Sequence, residues 1–330
     1  AIASDPASRS AYMGYVKLLA AQRRWLDIEP FFVEILKKGG NTSEKHMDLA
    51  QYYLGREKYD LAEENYQKAI DLAEKKVIPL MKLAEFYAKR KMKDQAIVTM
   101  KNALLIEPKN PMIHSSLSEI YLHFNMPEQA LNAVNSALKI DSQYIDALFQ
   151  KGRVLYAAKE FKKALDLFDH VLSVNRIYAK AYYYRALCID KRGATDRPEQ
   201  EIFRAAAGQL DKPEDFEKDQ IKGNLLAAIK IDPGMVDARI KLTEIYIRDR
   251  ELKKGKEQID EILKLSPPNI KILTLLSGLR IAEGNYKEAE KILRSIIQEK
   301  PDYMAAHIRL GLLYKSVGDT KKSIDILKAI

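Results

Sequence analysis

Apolar residues in this chain repeat first with the period of a helix and then, over longer distances, as whole blocks. In "HMDLAQYYLGREKYDLAEENYQKAIDLA", residues 46–73, Tyr53 lies four and three residues after Leu49 and Ala50, and Ala62, Tyr66 and Ala69 are spaced four and three apart. That spacing places each set on one face of a helix, and the polar "GREK" between them breaks the stripe. The block therefore predicts two amphipathic helices joined by a short turn. Two further blocks, "LMKLAEFYAKRKMKDQAIVTMKNALLIEP" and "HSSLSEIYLHFNMPEQALNAVNSALKIDS", superpose on it without gaps at a spacing of 34 residues. Unit starts fall at Arg9, Ser43, Val77, Pro111, Ile145 and Ala179, and resume after an insertion of 23 residues at Val236, Ile270 and Met304. The pattern predicts nine units.

Within a unit, small residues recur at positions 8, 20 and 27, large ones at 4, 11 and 24, and proline near 32, as in Pro108, Pro233, Pro267 and Pro301. Small side chains let two helix backbones approach, large ones fill the space around them, and proline ends the second helix. Ala50, Tyr53, Ala62, Tyr66 and Ala69 in the second unit, with Gly152, Ala164 and Phe168 in the fifth, are the fullest expression of this pattern. It resembles the tetratricopeptide repeat, whose unit is 34 residues, and the resemblance covers essentially the whole chain. Pentatricopeptide repeats, which bind RNA, have a 35-residue unit and lack these small residues. The resemblance implies an all-α fold: a right-handed α-solenoid of antiparallel helix pairs, its concave face lined by the first helix of each pair.

The expected layout is one continuous solenoid. Residues 1–8 read as the end of a preceding repeat, and 9–193 as five repeats and the first helix of a sixth. Residues 194–216 form an acidic helical insertion, and 217–330 complete the sixth repeat and add three more. Both ends are expected to cut through repeats, as in a piece of a longer array. Nearly half the residues are apolar, and no apolar run is long enough to span a membrane. The single cysteine, Cys188, excludes an internal disulfide but leaves cytoplasm and bacterial periplasm both open.

A net charge of +9 raises the question of nucleic acid. Positions 2, 5, 9, 12 and 13 should face the groove, and there eight basic residues meet seven acidic ones. Such an even balance argues against a nucleic-acid stripe and assigns the basic excess to the solvated outer face. Position 5 carries no lysine, so the clamp with which some members of the family hold chaperone tails is absent. That row instead begins with Met13, Met47 and Met81, adaptable apolar contacts for a peptide. Further along, Phe149, Arg153, Tyr156, Lys180, Tyr183 and Tyr184 gather aromatic and basic groups suited to anchoring a partner. Tyr182 is expected to pack, Tyr183 to face the groove and Tyr184 to lie at its edge. Lys151 and Arg185 occupy position 7, normally leucine.

No catalytic or metal-binding motif is found, and no cofactor is implied. His46, His114 and His307 occupy the packing position 4, and Cys188 a core position. Trp25 is expected in an interhelix turn. The expected function is a non-enzymatic scaffold for a protein or peptide. The alternatives are an accessory domain of a larger enzyme, such as a glycosyltransferase, or part of a bacterial envelope system exporting polysaccharide or protein.

Overall fold

The structure, a computed structural model, describes residues 8–22, 24–38, 40–191, 213–265 and 268–328. The described residues form helices and connections, with no strand. In chain order the helices are α1 (Arg9–Ala21), α2 (Ile28–Lys38), α3 (Ser43–Gly55), α4 (Tyr59–Leu72), α5 (Val77–Lys89) and α6 (Lys93–Ile106). There follow α7 (Pro111–His123), α8 (Pro127–Ile140), α9 (Ile145–Ala157), α10 (Phe161–Val174), α11 (residues 179–191) and α12 (Pro213–Ile231). The last six are α13 (Val236–Arg248), α14 (Leu252–Leu265), α15 (Ile270–Ala282), α16 (Tyr286–Glu299), α17 (Met304–Ser316) and α18 (Thr320–Lys328). The odd-numbered helices start at the residues that the 34-residue spacing predicts.

Two compact units divide the chain, residues 1–160 and 161–330. In the first, α3 packs on α4 and α5, α5 on α6 and α7, and α7 on α8 and α9. In the second, α13 packs on α14 and α15, α15 on α16, and α16 on α17. Each unit is thus a stack of helix pairs of the α-solenoid kind. The first unit buries Tyr12, Phe32, Tyr66 and Phe86 in one cluster and Met100, Ile113 and Ile120 in another. The second is cored by Leu225 and Leu242, then Ile259 and Ile272, then Leu293 and Leu310.

Helices of a pair approach where the small residues sit. Ala62, Ala96, Ala130, Ala164 and Ala289, all at position 20, are fully buried. Where serine replaces one of these small residues, its hydroxyl donates to a carbonyl of the facing helix. Ser118 Oγ reaches Ala130 O and Ser323 Oγ reaches Gly311 O, each at 2.8 Å.

From α3 onward the described turns inside the pairs share one form. Position 15 has positive φ at Glu57 (58°), Lys91 (59°), Asn125 (55°), Lys159 (63°), Arg250 (62°), Gly284 (78°) and Gly318 (82°). The next residue donates its N–H back across six residues, as Met92 to Tyr87 O at 2.9 Å and Glu160 to Leu155 O at 2.9 Å. This is the left-handed helix stop that satisfies the orphan carbonyls. The turn between pairs has its own lock: His114 Nε2 donates to Pro108 O at 2.9 Å and His307 Nε2 to Pro301 O at 2.8 Å. Arg239, also at position 4, donates Nε to Pro233 O at 3.2 Å.

Three details depart from or fall beyond the expectation. A 3-10 turn, Trp25–Asp27, precedes α2, which starts at Ile28 and not at residue 25 as the later pairs would have it. Trp25 therefore lies in the interhelix turn, as expected. The second helix of the sixth pair, α12, starts at Pro213, before the expected 217. The short helix expected within 194–212 lies outside the described residues.

Candidate partner-binding surface

The first helices carry the side chains expected to meet a partner, and their burial depends on the helix that follows. Met13 and Met47 are half-buried. Met81 is only 5 % exposed and shares a core cluster with Ile113 and Leu117 of α7. Phe149 is 1 % exposed. The expectation that Met81 and Phe149 line an open groove is therefore corrected: both are core. Ser115, Ile240 and Thr274 at the same position 5 are buried too, whereas Ile308 is exposed. Successive first helices pack on one another along this row.

Position 9 stays accessible in the first unit, and so does position 12 in α3, α7 and α9, while Ala88 at position 12 of α5 is buried. Arg153, with a side chain 19 % exposed, donates Nη1 to Glu119 Oε1 at 2.7 Å and to Gln150 Oε1 at 2.9 Å. Its guanidinium lies 6.0 Å from the Phe149 ring centroid. Glu119, its partner on α7, is far more open to solvent. Glu85, at position 9 of α5, pairs with Lys82 at 2.8 Å. Leu54, Leu122 and Tyr156 at position 12 are half-buried. Together these make a strip of apolar side chains flanked by polar, partly paired ones.

The remaining predicted residues belong to the second unit. Lys180 is exposed. Tyr182 and Tyr183 both pack against the cluster of Ala186, Ile189, Leu225 and Leu242. The Tyr184 ring stacks on Phe168 at 5.7 Å and meets Tyr183 edge-on at 5.4 Å. All three tyrosines are half-buried, so no one of them alone takes the packing role. Arg185 is tied down, donating Nε to Asp169 Oδ1 at 2.5 Å and Nη1 to Asn224 Oδ1 at 3.2 Å. Cys188 is fully buried.

Electrostatics elsewhere are structural. Asp48 on α3 receives Arg9 Nη2 at 2.7 Å and the Tyr12 hydroxyl at 2.6 Å, both from α1. Burial, then this hydrogen bond, pushes the Tyr12 hydroxyl well above the usual phenol range. Lys58 holds the Glu29 carboxyl below the usual carboxylate range, while burial and Glu29 push Tyr53 up to about 12. Among the described residues no group of three or more His, Cys, Asp or Glu side chains is placed to hold a metal. No described helix is long and apolar enough to cross a membrane.

One feature was missed from sequence. The turns "GREK" and "KRKMK" of the second and third pairs bring Arg56, Lys89, Arg90, Lys91 and Lys93 to one edge of the first unit. The signal in sequence is the basic run at the third pair's turn, of which only Lys89 falls at a position expected to face the groove.

Stacked helix pairs with a half-open first-helix face define an α-solenoid, a class built for binding. Models of the tetratricopeptide repeat match residues 46–76 and 280–330, one stretch in each unit. The chain thus carries tetratricopeptide repeats in both units. Among curated proteins it is similar to uncharacterized protein y4yS of Sinorhizobium fredii, 26 % identical over 84 residues, which are 26 % of this chain and 46 % of that protein. The chain thus spans less than half the length of that relative. A human IFIT1 dimer with m7Gppp-AAAA shares the fold at a TM-score of 0.57 and 15 % identity, over 97 % of this chain and 81 % of that one. PilW, a type IV pilus biogenesis factor, aligns at 0.54 and 17 % identity, over 72 % of this chain and all of PilW (100 %). A tetratricopeptide repeat protein from Parabacteroides merdae aligns at 0.52 and 17 % identity, over 83 % and 99 %. At these identities the likeness is one of fold. The fold is that of protein-interaction scaffolds.

Proposed function

We propose that this protein is a non-enzymatic scaffold that seats a short segment of a partner protein on its first-helix faces. The observation that carries the reading is the strip in the first unit: half-buried Leu54, Leu122 and Tyr156 beside Glu85, Glu119 and Arg153. Apolar side chains that keep one face in water gain by being covered, and the flanking polar groups fix register and direction. Met13 and Met47 extend the apolar contact toward α1. In the second unit, Lys180, Tyr183 and Tyr184 serve the same purpose.

The test is selection of binders from a displayed random-peptide library, followed by titration against variants that melt like the parent. Tyr156→Ala should weaken a selected peptide about tenfold or more, in the range of an interface anchor. Arg153→Ala should weaken it less, because Glu119 already engages the guanidinium. In the second unit, Tyr183→Ala is the matching probe. A library that yields no binder, or binders indifferent to all three substitutions, would overturn the proposal.

A further inference from the structure

The first unit also carries a pocket with an excess of basic side chains at its intrapair turns. Residues of the α3–α4 and α5–α6 turns line an open pocket of about 400 Å³: Leu54, Gly55, Glu57 and Tyr59 from one, Lys89, Arg90 and Lys91 from the other. The Arg90 guanidinium sits over the Tyr59 ring, its carbon 3.6 Å from the centroid. Stacking in that way holds the planar fork in place and leaves its N–H edge to bind an oxyanion. Arg56 and Lys93 belong to the same two turns in sequence, and both are exposed. None of Arg56, Lys89, Arg90, Lys91 and Lys93 forms an ion pair with a described residue, whereas neighbouring Lys58 is held by Glu29 at 2.7 Å. The rim has one acid, Glu57. Asp60 and Asp94 sit in the first turns of α4 and α6.

Five unpaired cations from two successive turns are more than a single carboxylate needs. We infer that this pocket binds an acidic segment of a partner protein, a run of glutamate or aspartate side chains whose carboxylates meet Arg90, Lys89 and Lys91 while their methylenes cover Leu54 and Tyr59. The site lies at the intrapair turns and shares only Leu54 with the first-helix strip, so Tyr156→Ala, which should weaken a peptide on the strip, should leave binding at the pocket unchanged. Complementary charge of this kind steers association and fixes partner choice.

The experiment is fluorescence anisotropy with a labelled hexaglutamate peptide at low ionic strength. The peptide should bind, and binding should weaken as salt is added. Lys89→Ala with Lys91→Gly should weaken it about tenfold, the sum of two exposed charge contacts. Glu57→Gln should tighten it. Lys91→Gly alone separates binding from folding: it removes a cation but relieves a left-handed residue, so binding weakens while the melting temperature rises. Three results would each overturn the inference. The first is no binding. The second is binding that Lys89→Ala/Lys91→Gly leaves unchanged. The third is displacement by pyrophosphate or oligouridylate at lower concentration than by unlabelled hexaglutamate, which would make the pocket a phosphate or nucleic-acid site.

Discussion

At the scale of single residues, the most regular feature of the molecule is one that its letters mostly conceal. Position 15 is left-handed in every described intrapair turn from α3 onward, yet only Gly284, Gly318 and Asn125 are residue types that favour it. Glu57, Lys91, Lys159 and Arg250 adopt it because the helix stop imposes it, the following N–H capturing a carbonyl of the last turn. Those four residues carry a backbone cost that glycine would not. Lys159→Gly should therefore stabilise the protein, by about 0.5–1 kcal/mol, and Gly284→Ala should destabilise it by a similar amount. Urea denaturation read against the parent checks both signs. A loss of stability in Lys159→Gly would mean that the flexibility glycine gives the unfolded chain outweighs the strain relieved. Sequence could not announce this position, since lysine, glutamate and arginine are ordinary turn residues whose φ is set by the hydrogen bonds around them.

Elements were far more legible than residues. The odd-numbered helices begin where the 34-residue phase puts them because each start combines an end to the previous helix with a fresh apolar stripe. The phase failed where it was interrupted: after the insertion nothing in the period marks the start of α12, and Pro213 proved to lie four residues before the expected 217. The face of a helix was legible, but not what covers it. Met81 and Phe149 have the register of groove residues and the burial of core, because position 5 belongs to the seam between successive first helices. A different seam joins α12 to the α13–α14 turn. Lys222 Nζ meets Asp249 Oδ2 at 2.7 Å and Glu251 Oε1 at 2.5 Å, with all three side chains largely covered. Burial opposes ionisation of Asp249, but the hydrogen bond and charge of Lys222 outweigh it and hold the carboxyl below its ordinary 3.8. Hydrogen bonds from Lys222 and Lys254 hold Glu251 below 4.5. Carboxyls depressed in the folded state contribute stability that is present above their ordinary values and is lost as pH falls through the folded ones. Lys222→Met should cost about 1 kcal/mol at neutral pH, because Glu251 then keeps only Lys254 and Asp249 only Arg248, at 3.5 Å. That cost should shrink below about pH 4, where both carboxylates protonate in the unfolded chain. Thermal melts of parent and variant across pH 3–7 measure it; a gap that stays constant would show that Lys222 acts by packing alone.

At the scale of the whole molecule, the cores are local. The cluster around Ile113 draws on α5 to α9 and the cluster around Leu293 on α15 to α18. A stack in which each pair buries its apolar face only against its neighbours has stability that is a sum of nearest-neighbour terms, so damage should spread over adjacent pairs and then fade. Ile113 and Leu293 are both fully buried, and truncating either to alanine removes about 2–5 kcal/mol of local packing. Native-state amide exchange is the measurement that resolves where this is felt. Ile113→Ala should speed exchange through α5–α8 and leave α15–α18 at the parent's rates, and Leu293→Ala should do the reverse. If either substitution accelerated exchange equally in both units, the chain would be opening as one cooperative body, and the locality that makes a repeat stack a modular binding surface would not hold for this protein. The same data bear on the basic pocket, since hexaglutamate should slow exchange in the α3–α4 and α5–α6 turns and leave α15–α18 untouched.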